Sequence, residues 1–101
     1  MPPAWTDLAG AAALVKDRDL VALGGHTRQA PMALIRELIR QGRRDLSLIT
    51  VPTGGLNVDL LIGAGAVSRL HFAQVSLGEY GLAPHFRGAV EQGLLTLREY
   101  P

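Results

Sequence analysis

An apolar run that stops at two glycines constrains the fold of this chain more than any other feature. Val21–Leu23 ends at Gly24 and Gly25, and after a short loop Pro31 is placed to open a helix. The pattern predicts a buried strand whose carboxyl end reaches a surface made of backbone alone, with a helix starting behind it. In open α/β sheets ligands bind at such a junction, because amide N–H groups point outward there.

Strand and helix signals alternate along the chain, which predicts βαβ units and a parallel sheet. The predicted strands are Leu20–Leu23, Leu46–Val51, Leu70–Val75 and Leu94–Tyr100. The first predicted helix is capped by Thr6, and the second is opened by Pro31 and ended by Gly42. A short third helix, Val58–Ile62, is capped by Asn57 and ended by Gly63–Gly65. The fourth helix is Phe86–Gln92, ended by Gly93. Right-handed crossovers would place these helices on the faces of the sheet.

The length of the chain limits it to one domain. Its 101 residues have room for a single small domain, and we expect residues 1–101 to form one partial domain. Four strands with an unpaired final edge make an unfinished sheet, and exposed edges pair with neighbours. We therefore expect the front portion of a larger domain, or a piece that needs a partner, and in either case an oligomer.

Composition excludes several classes of protein. Ten basic and nine acidic residues give a net charge of +1, so nothing attracts the chain in bulk to nucleic acid or to a membrane surface. The lack of cysteine excludes disulfides and a cysteine nucleophile. The sequence has no signal-peptide pattern and no stretch near the roughly 20 apolar residues that span a bilayer. We expect a cytoplasmic protein with no nucleic-acid or membrane partner.

A second glycine pair follows the second predicted strand. If the strands are parallel, both pairs lie on one edge of the sheet and together offer several amides to an anion or a carbonyl oxygen. The alternative for each pair alone is that the glycines only turn the chain. The predicted binding residues are the two pairs and their neighbours, Gly24, Gly25, His26, Thr53, Gly54 and Gly55.

Other polar residues give weaker signals. Glu79 follows the third predicted strand and is a candidate acid, base or hydrogen-bond acceptor, with an exposed loop carboxylate as the alternative. Asp59 and Glu91 are interpreted as ordinary helix-surface charges. The three histidines lack the spacing of metal ligands, so we predict no metal. The Gly63–Gly65 segment has no predicted strand leading into it and lacks the third glycine of a dinucleotide-binding motif.

Three parts of the chain resemble family I coenzyme A transferases. They are Asp17–Gly25 with Ala30–Leu34, Pro52–Gly65, and Gly78–Arg87. Taken together they are similar to alpha (A) subunits of the glutaconate CoA-transferase type, over nearly the whole chain. The chain departs from that pattern at Arg18, where the family often has glycine, at His26, and in a slightly shorter loop before the proline. It resembles only the first third of such a subunit.

This resemblance implies a fold, a reaction and a partner. The fold would be a three-layer α/β domain with a parallel sheet, here incomplete, with about four strands and flanking helices. A glutamate of a beta subunit would attack an acyl-CoA thioester, and coenzyme A, a substrate rather than a permanently bound cofactor, would pass to a small carboxylic acid. The alpha chain would help to build the pocket at the interface, and no residue here matches that glutamate's motif.

Two alternatives stay open beside CoA transfer. Some relatives hydrolyse CoA esters of ring-opening steroid intermediates, and an alpha-subunit carboxylate is implicated there, which makes Glu79 the catalytic candidate. Otherwise the chain is a non-catalytic truncated fragment or an assembly module that retains the start of the fold. We expect no activity from this chain alone.

Overall fold

Short helices and strands alternate through the described part of the chain. A computed structural model describes residues 5–24, 31–50, 53–77, 81 and 83–99. The helices are α1 (Leu8–Ala13), α2 (Met32–Arg40), α3 (Leu56–Gly63) and α4 (Pro84–Glu91). The strands are β1 (Leu20–Leu23), β2 (Leu46–Thr50), β3 (Thr53–Gly54), β4 (Val67–Phe72), β5 (Gln74–Val75) and β6 (Thr96–Glu99). None of these helices is long and apolar enough to cross a membrane.

Four parallel strands form the main sheet, in the order β1-β2-β4-β6. The two short strands β3 and β5 form a separate parallel pair. The strand order runs in one direction without a reversal, so right-handed crossovers place α2, α3 and α4 on the same face. Each of these helices packs against the next, and α1 packs against α2. The predicted α/β fold, a parallel four-stranded sheet with flanking helices, is confirmed, and the described residues supply one strand layer and one helix layer.

The hydrophobic core lies between the sheet and the helices. Leu48 of β2 and Leu70 of β4 are neighbours in the sheet, and both are fully buried. Ile35 and Leu38 of α2 and Leu61 of α3 belong to the same buried cluster. Burying one such side chain stabilises a fold by about 1.5–3 kcal/mol. These contacts therefore hold the helix layer onto the sheet and fix where each helix begins.

The opposite face of the sheet is more polar and more exposed. Ala22, Ile49, His71 and Arg98 lie side by side in register across the four strands. Side chains alternate between the faces of a strand, so Leu48 is buried while Ile49 is 41% exposed. No helix of the described residues covers this face.

Helices α2, α3 and α4 end in the same hydrogen-bonded turn. After α2, Gly42 has φ 73°, its N–H donates to the Ile39 carbonyl, and the next N–H donates to the Leu38 carbonyl. The same pair of bonds follows α3 at Gly65 and α4 at Gly93, with φ 74° and 70°. This is the Schellman motif, in which glycine accepts a left-handed conformation that disfavours other residues. The predicted helix ends at these glycines are confirmed.

Arg18 adopts the same left-handed conformation although it is not glycine. Its φ is 71°, and its N–H donates to the Arg44 carbonyl at 3.1 Å. The Arg44 N–H in turn donates to Asp17 Oδ1 at 2.9 Å. These bonds join the turn before β1 to the turn before β2. Glycine accepts this conformation more readily than arginine does.

Two predicted helix starts are wrong, each by two residues. Helix α3 begins at Leu56 rather than Val58, so the predicted cap Asn57 lies inside the helix and Gly55 is the N-cap residue. Helix α4 begins at Pro84 rather than Phe86, because proline suits the first turn of a helix, where no N–H is needed.

The predicted first cap and third strand also need correction. Asp7, rather than Thr6, caps α1, and its Oδ1 accepts from the Gly10 N–H at 2.8 Å. The predicted strand Leu70–Val75 is two strands, β4 and β5, and β4 begins three residues earlier at Val67. Arg69 and His71 interrupt the apolar pattern of β4, because they lie on the more exposed face of the sheet. The predicted strand ends Val51 and Tyr100 lie outside the described residues.

Candidate functional site

The carboxyl ends of β1 and β2 meet at one edge of the sheet, hereafter the carboxyl edge. Leu23 and Thr50 are partners in the parallel register, so the last residues of the two strands lie side by side. Gly24 lies directly after β1 and is exposed. A Cβ atom placed on it would meet no other atom within 4 Å. At this strand end, the backbone is thus accessible and has open space beside it.

The second glycine pair lies at the same edge but is buried. Gly54 belongs to β3 beside Val75, and its carbonyl accepts from the Ser76 N–H at 2.9 Å. A Cβ atom on Gly54 would lie 3.0 Å from Val58 Cγ2, so any side chain there would require Val58 to shift. Gly55 is also buried and starts α3. This pair therefore lets the start of α3 pack closely against the strand ends.

The amino-terminal end of α3 has no side-chain cap from its own N-cap residue, Gly55. The first amide N–H groups of a helix have no partner within the helix, and its amino end carries a partial positive charge. Leu56, the first helical residue, is 48% exposed. The start of α3 is thus suited to stabilise negative charge at the carboxyl edge.

Asn57 links the start of α3 to the end of β1. It is fully buried, and its Nδ2 donates to the Gly24 carbonyl at 3.4 Å. Its other polar atom, Oδ1, is also buried and lacks a hydrogen-bond partner among the residues that the structure describes. Sequence reasoning missed this role and interpreted Asn57 only as a helix cap.

Asp59 is the clearest error among the predicted roles. It is 2% exposed rather than a surface charge. Its Oδ1 accepts from the Phe86 N–H at 2.7 Å and its Oδ2 from the His85 N–H at 3.3 Å. The carboxylate thus caps α4 from a neighbouring helix, and fixes the end of the loop that returns from β5. The apolar residues on every side of Asp59 were the available signal, because a helix that is apolar all round is buried.

A groove of 380 Å³ runs beside β5 along α4. Val75, Ala83, Phe86 and Val90 contribute apolar walls. An exposed ion pair between Arg87 and Glu91, 3.2 Å apart, lies in its lining. The groove adds an apolar surface next to the loop that Asp59 anchors.

Only some of the predicted site residues fall within the described ranges. Gly25, His26 and Glu79 lie outside them, and Thr53 is described only through its backbone in β3. The structure does bring the ends of β1 and β2, with Gly24, Gly54 and Gly55, to the same edge. Among the described ranges, no group of three or more histidine, aspartate or glutamate residues is arranged to hold a metal ion. The assignment of these residues to substrate remains a prediction.

The described strands form a singly wound parallel sheet, with an exposed Gly24 and a helix start without a side-chain cap at its carboxyl edge, which defines the α/β class of the protein. The sequence pattern of the family described as Coenzyme A transferase matches residues 6–101. The chain belongs to this family.

Similar proteins carry several activities in their names. The chain is 44% identical over 79 residues to the A subunit of the 3-oxoadipate CoA-transferase of Pseudomonas knackmussii, covering 78% of this chain and 28% of the relative. It is 33% identical over 101 residues to the cholesterol ring-cleaving hydrolase IpdA subunit of Mycobacterium tuberculosis, covering 98% of this chain and 34% of the relative. The chain thus spans about a third of the length of these relatives.

Solved structures agree with the fold. A variant of the decarboxylase AibA/AibB superposes with a TM-score of 0.86 at 36% identity, covering 97% of this chain and 38% of that one. Glutaconate coenzyme A-transferase from Acidaminococcus fermentans superposes with a TM-score of 0.83 at 32% identity, covering 94% and 31%. The order and direction of the described strands are therefore those of a CoA-transferase subunit.

Proposed function

We propose that this chain is part of the alpha subunit of a CoA-transferase, and that its carboxyl edge forms one wall of an acyl-thioester cleft. The observation that supports this most strongly is the meeting of the exposed Gly24 with the uncapped start of α3. Two relatives are named as A subunits of CoA-transferases, which supports the alpha-chain assignment. The substrates of the proposed reaction are an acyl-CoA and a small carboxylic acid.

The proposed reaction needs a partner chain. A beta-subunit glutamate would bond through its carboxylate oxygen to the acyl carbon, and the C–S bond would break to release CoA as a thiolate. The thiolate would then attack the glutamyl carbonyl and release the first acid. The acceptor carboxylate would next attack the glutamyl-CoA thioester, forming a new anhydride and releasing the CoA thiolate again. That thiolate would attack the acceptor's acyl carbon, which gives the new acyl-CoA and frees the glutamate carboxylate. Each attack places negative charge on a carbonyl oxygen.

The role of this chain is to stabilise that charge. Backbone N–H groups near Gly24, Gly25 and the start of α3 would donate to the developing oxyanion, and Thr53 with the buried pair Gly54 and Gly55 would hold the start of α3 in place beside it. Losing one such donor typically raises the barrier by about 3 kcal/mol. His26 is proposed to contact the substrate from the loop after β1. Coenzyme A enters as a substrate, and no permanently bound cofactor is proposed.

Hydrolysis or ring opening of a CoA ester is the second candidate. The similarity to the IpdA hydrolase subunit covers 98% of this chain, and it supports this candidate. Glu79 would then act as the catalytic acid or base. Hydrolysis and transfer differ in what attacks the CoA thioester, which is water in hydrolysis and an acceptor carboxylate in transfer.

One assay separates these candidates. The chain is purified in complex with its beta subunit, and the complex is incubated with succinyl-CoA or acetyl-CoA, with and without an acceptor acid. Transfer predicts new acyl-CoA only when the acceptor is present, whereas hydrolysis predicts free CoA in its absence. Neither product from a demonstrated complex, across a panel of acids, would favour the non-catalytic alternative.

A further inference from the structure

The side chain of Asn57 is polar but lies where burial makes a polar group unfavourable. It is fully buried, and its Oδ1 has no partner within the described part of the chain. Leaving a buried acceptor unpaired costs about 1–3 kcal/mol. A leucine of similar volume would avoid this cost. Such exceptions are few in native proteins and mark strain, a bound water or a functional role.

The hydrogen bond that this side chain donates links two distant parts of the sequence. Nδ2 donates to the carbonyl of Gly24, at 3.4 Å, and Gly24 otherwise projects into open space. Asn57 therefore acts on the peptide group that leaves β1.

We infer that Asn57 is a positioning residue, whose side-chain amide holds the Gly24 carbonyl and so fixes how the backbone leaves β1 beside the proposed acyl-thioester cleft. This inference rests on the proposed function. Helix α3 supports the arrangement, because Gly54 and Gly55 let it begin close to the strand ends. Asn57 thus ties the start of α3 to the end of β1 through one side chain.

The test compares Asn57→Leu with Asn57→Asp in the complex with the beta subunit. The leucine variant removes both polar atoms, whereas the aspartate variant keeps the shape and turns an oxygen toward the Gly24 carbonyl. Gln92→Leu, an exposed amide-to-leucine change at the end of α4, is the matched control. Melting temperature, kcat and KM for acyl-CoA are measured for each.

The two readouts are expected to move separately. In Asn57→Leu, kcat falls about 10- to 100-fold, the cost of a misplaced catalytic group, while Tm is equal to or above that of the unmodified chain. KM stays within about threefold, because the lost interaction acts in the transition state. Asn57→Asp loses activity and melts at least about 4–8 °C lower, since it buries a carboxylate that faces a carbonyl oxygen with no donor between them. Gln92→Leu changes neither.

Two results overturn the inference. One is an Asn57→Leu variant with kcat within about twofold of the unmodified complex. The other is a loss of activity that only follows the loss of folded protein. If the unmodified complex has no transferase activity, the proposed function fails. The positioning role is then tested separately, by NMR relaxation of the backbone amide that follows Gly24. A more mobile amide in Asn57→Leu then supports it, and an unchanged one contradicts it.

Discussion

The two edges of the sheet are built on opposite principles. At the amino edge, where helices return to strands, Gly42, Gly65 and Gly93 repeat one turn with the same hydrogen bonds. At the carboxyl edge, the N-cap residues Pro31, Gly55 and Ala83 make no side-chain bond to the helices that they precede. One edge thus satisfies its backbone locally, whereas the other leaves that task to distant side chains and, we propose, to substrate.

This contrast distinguishes the amino edge, which stabilises the fold, from the carboxyl edge, which we propose faces the substrate. Side chains reinforce the amino edge as well, since Arg43 Nε donates to the Val15 carbonyl at 2.6 Å. Gln41 Nε2 likewise donates to the Ala9 carbonyl at 3.0 Å. At the carboxyl edge, Asn57 instead keeps a buried oxygen without a partner in the described residues. Substitutions at the amino edge should therefore change stability alone, and those at the carboxyl edge should change activity as well.

The largest effect is expected from Gly54→Val. The new side chain would collide with Val58 and approach Thr50, and overpacking of this kind costs about 3 kcal/mol. Acyl transfer by the complex should be lost, because α3 can no longer start beside β1. Urea unfolding and an acyl-exchange assay measure the two effects. Gly24→Ala, which meets no atom within 4 Å, is the stability control, and equal destabilisation by both variants would contradict the packing difference.

Asp59→Ala should have the next largest effect. The variant removes both acceptors from the His85 and Phe86 N–H groups, and losing a charged cap costs about 2 kcal/mol. Activity should fall too, since the loop that carries Glu79 loses its anchored end. The control is Glu91→Gln, whose ion pair with Arg87 is exposed and is worth less than about 1 kcal/mol. If Asp59→Ala lowers the free energy of unfolding no more than Glu91→Gln does, Asp59 does not cap α4.

Gly93→Ala at the amino edge should destabilise the chain by about 1 kcal/mol. The alanine would have to adopt φ 70°, a left-handed conformation that a Cβ disfavours. Thermal melting measures the loss, and the specific activity of the folded complex should stay unchanged. A drop in kcat at constant folded fraction would show that the amino edge also takes part in the reaction.

Arg18→Gly should give the smallest effect, with the opposite sign. Glycine relieves the left-handed φ of 71°, a gain of up to about 1 kcal/mol that is partly offset by greater freedom of the unfolded chain. The melting temperature should rise slightly with unchanged activity. The melting temperature of Arg44→Gly, at a neighbouring position without a positive φ, should not rise. A lower melting temperature in both variants would contradict the argument that Arg18 is strained.

Much of the fold was predictable because local chemistry and tertiary structure agree. The stripe of α2 and the glycines after α2, α3 and α4 predict elements that packing then reinforces. The prediction failed where long-range contacts decide. Asp59 is buried where it caps α4, and Arg69 and His71 interrupt the apolar pattern of β4 because they lie on the more exposed face of the sheet. The edge that carries the candidate site followed from parallel strands, whereas the roles of Asn57 and Asp59 depend on pairs far apart in sequence.

The central claim is that acyl-CoA meets this chain at the carboxyl edge. Hydrogen–deuterium exchange of the complex with its beta subunit, with and without acyl-CoA, tests it most directly. The account predicts slower exchange in peptides that contain residues 24, 54–57 and 76–83, with no change in residues 41–45, 64–66 and 92–95. Protection at the amino-edge turns, with none around Gly24 and the start of α3, would contradict it.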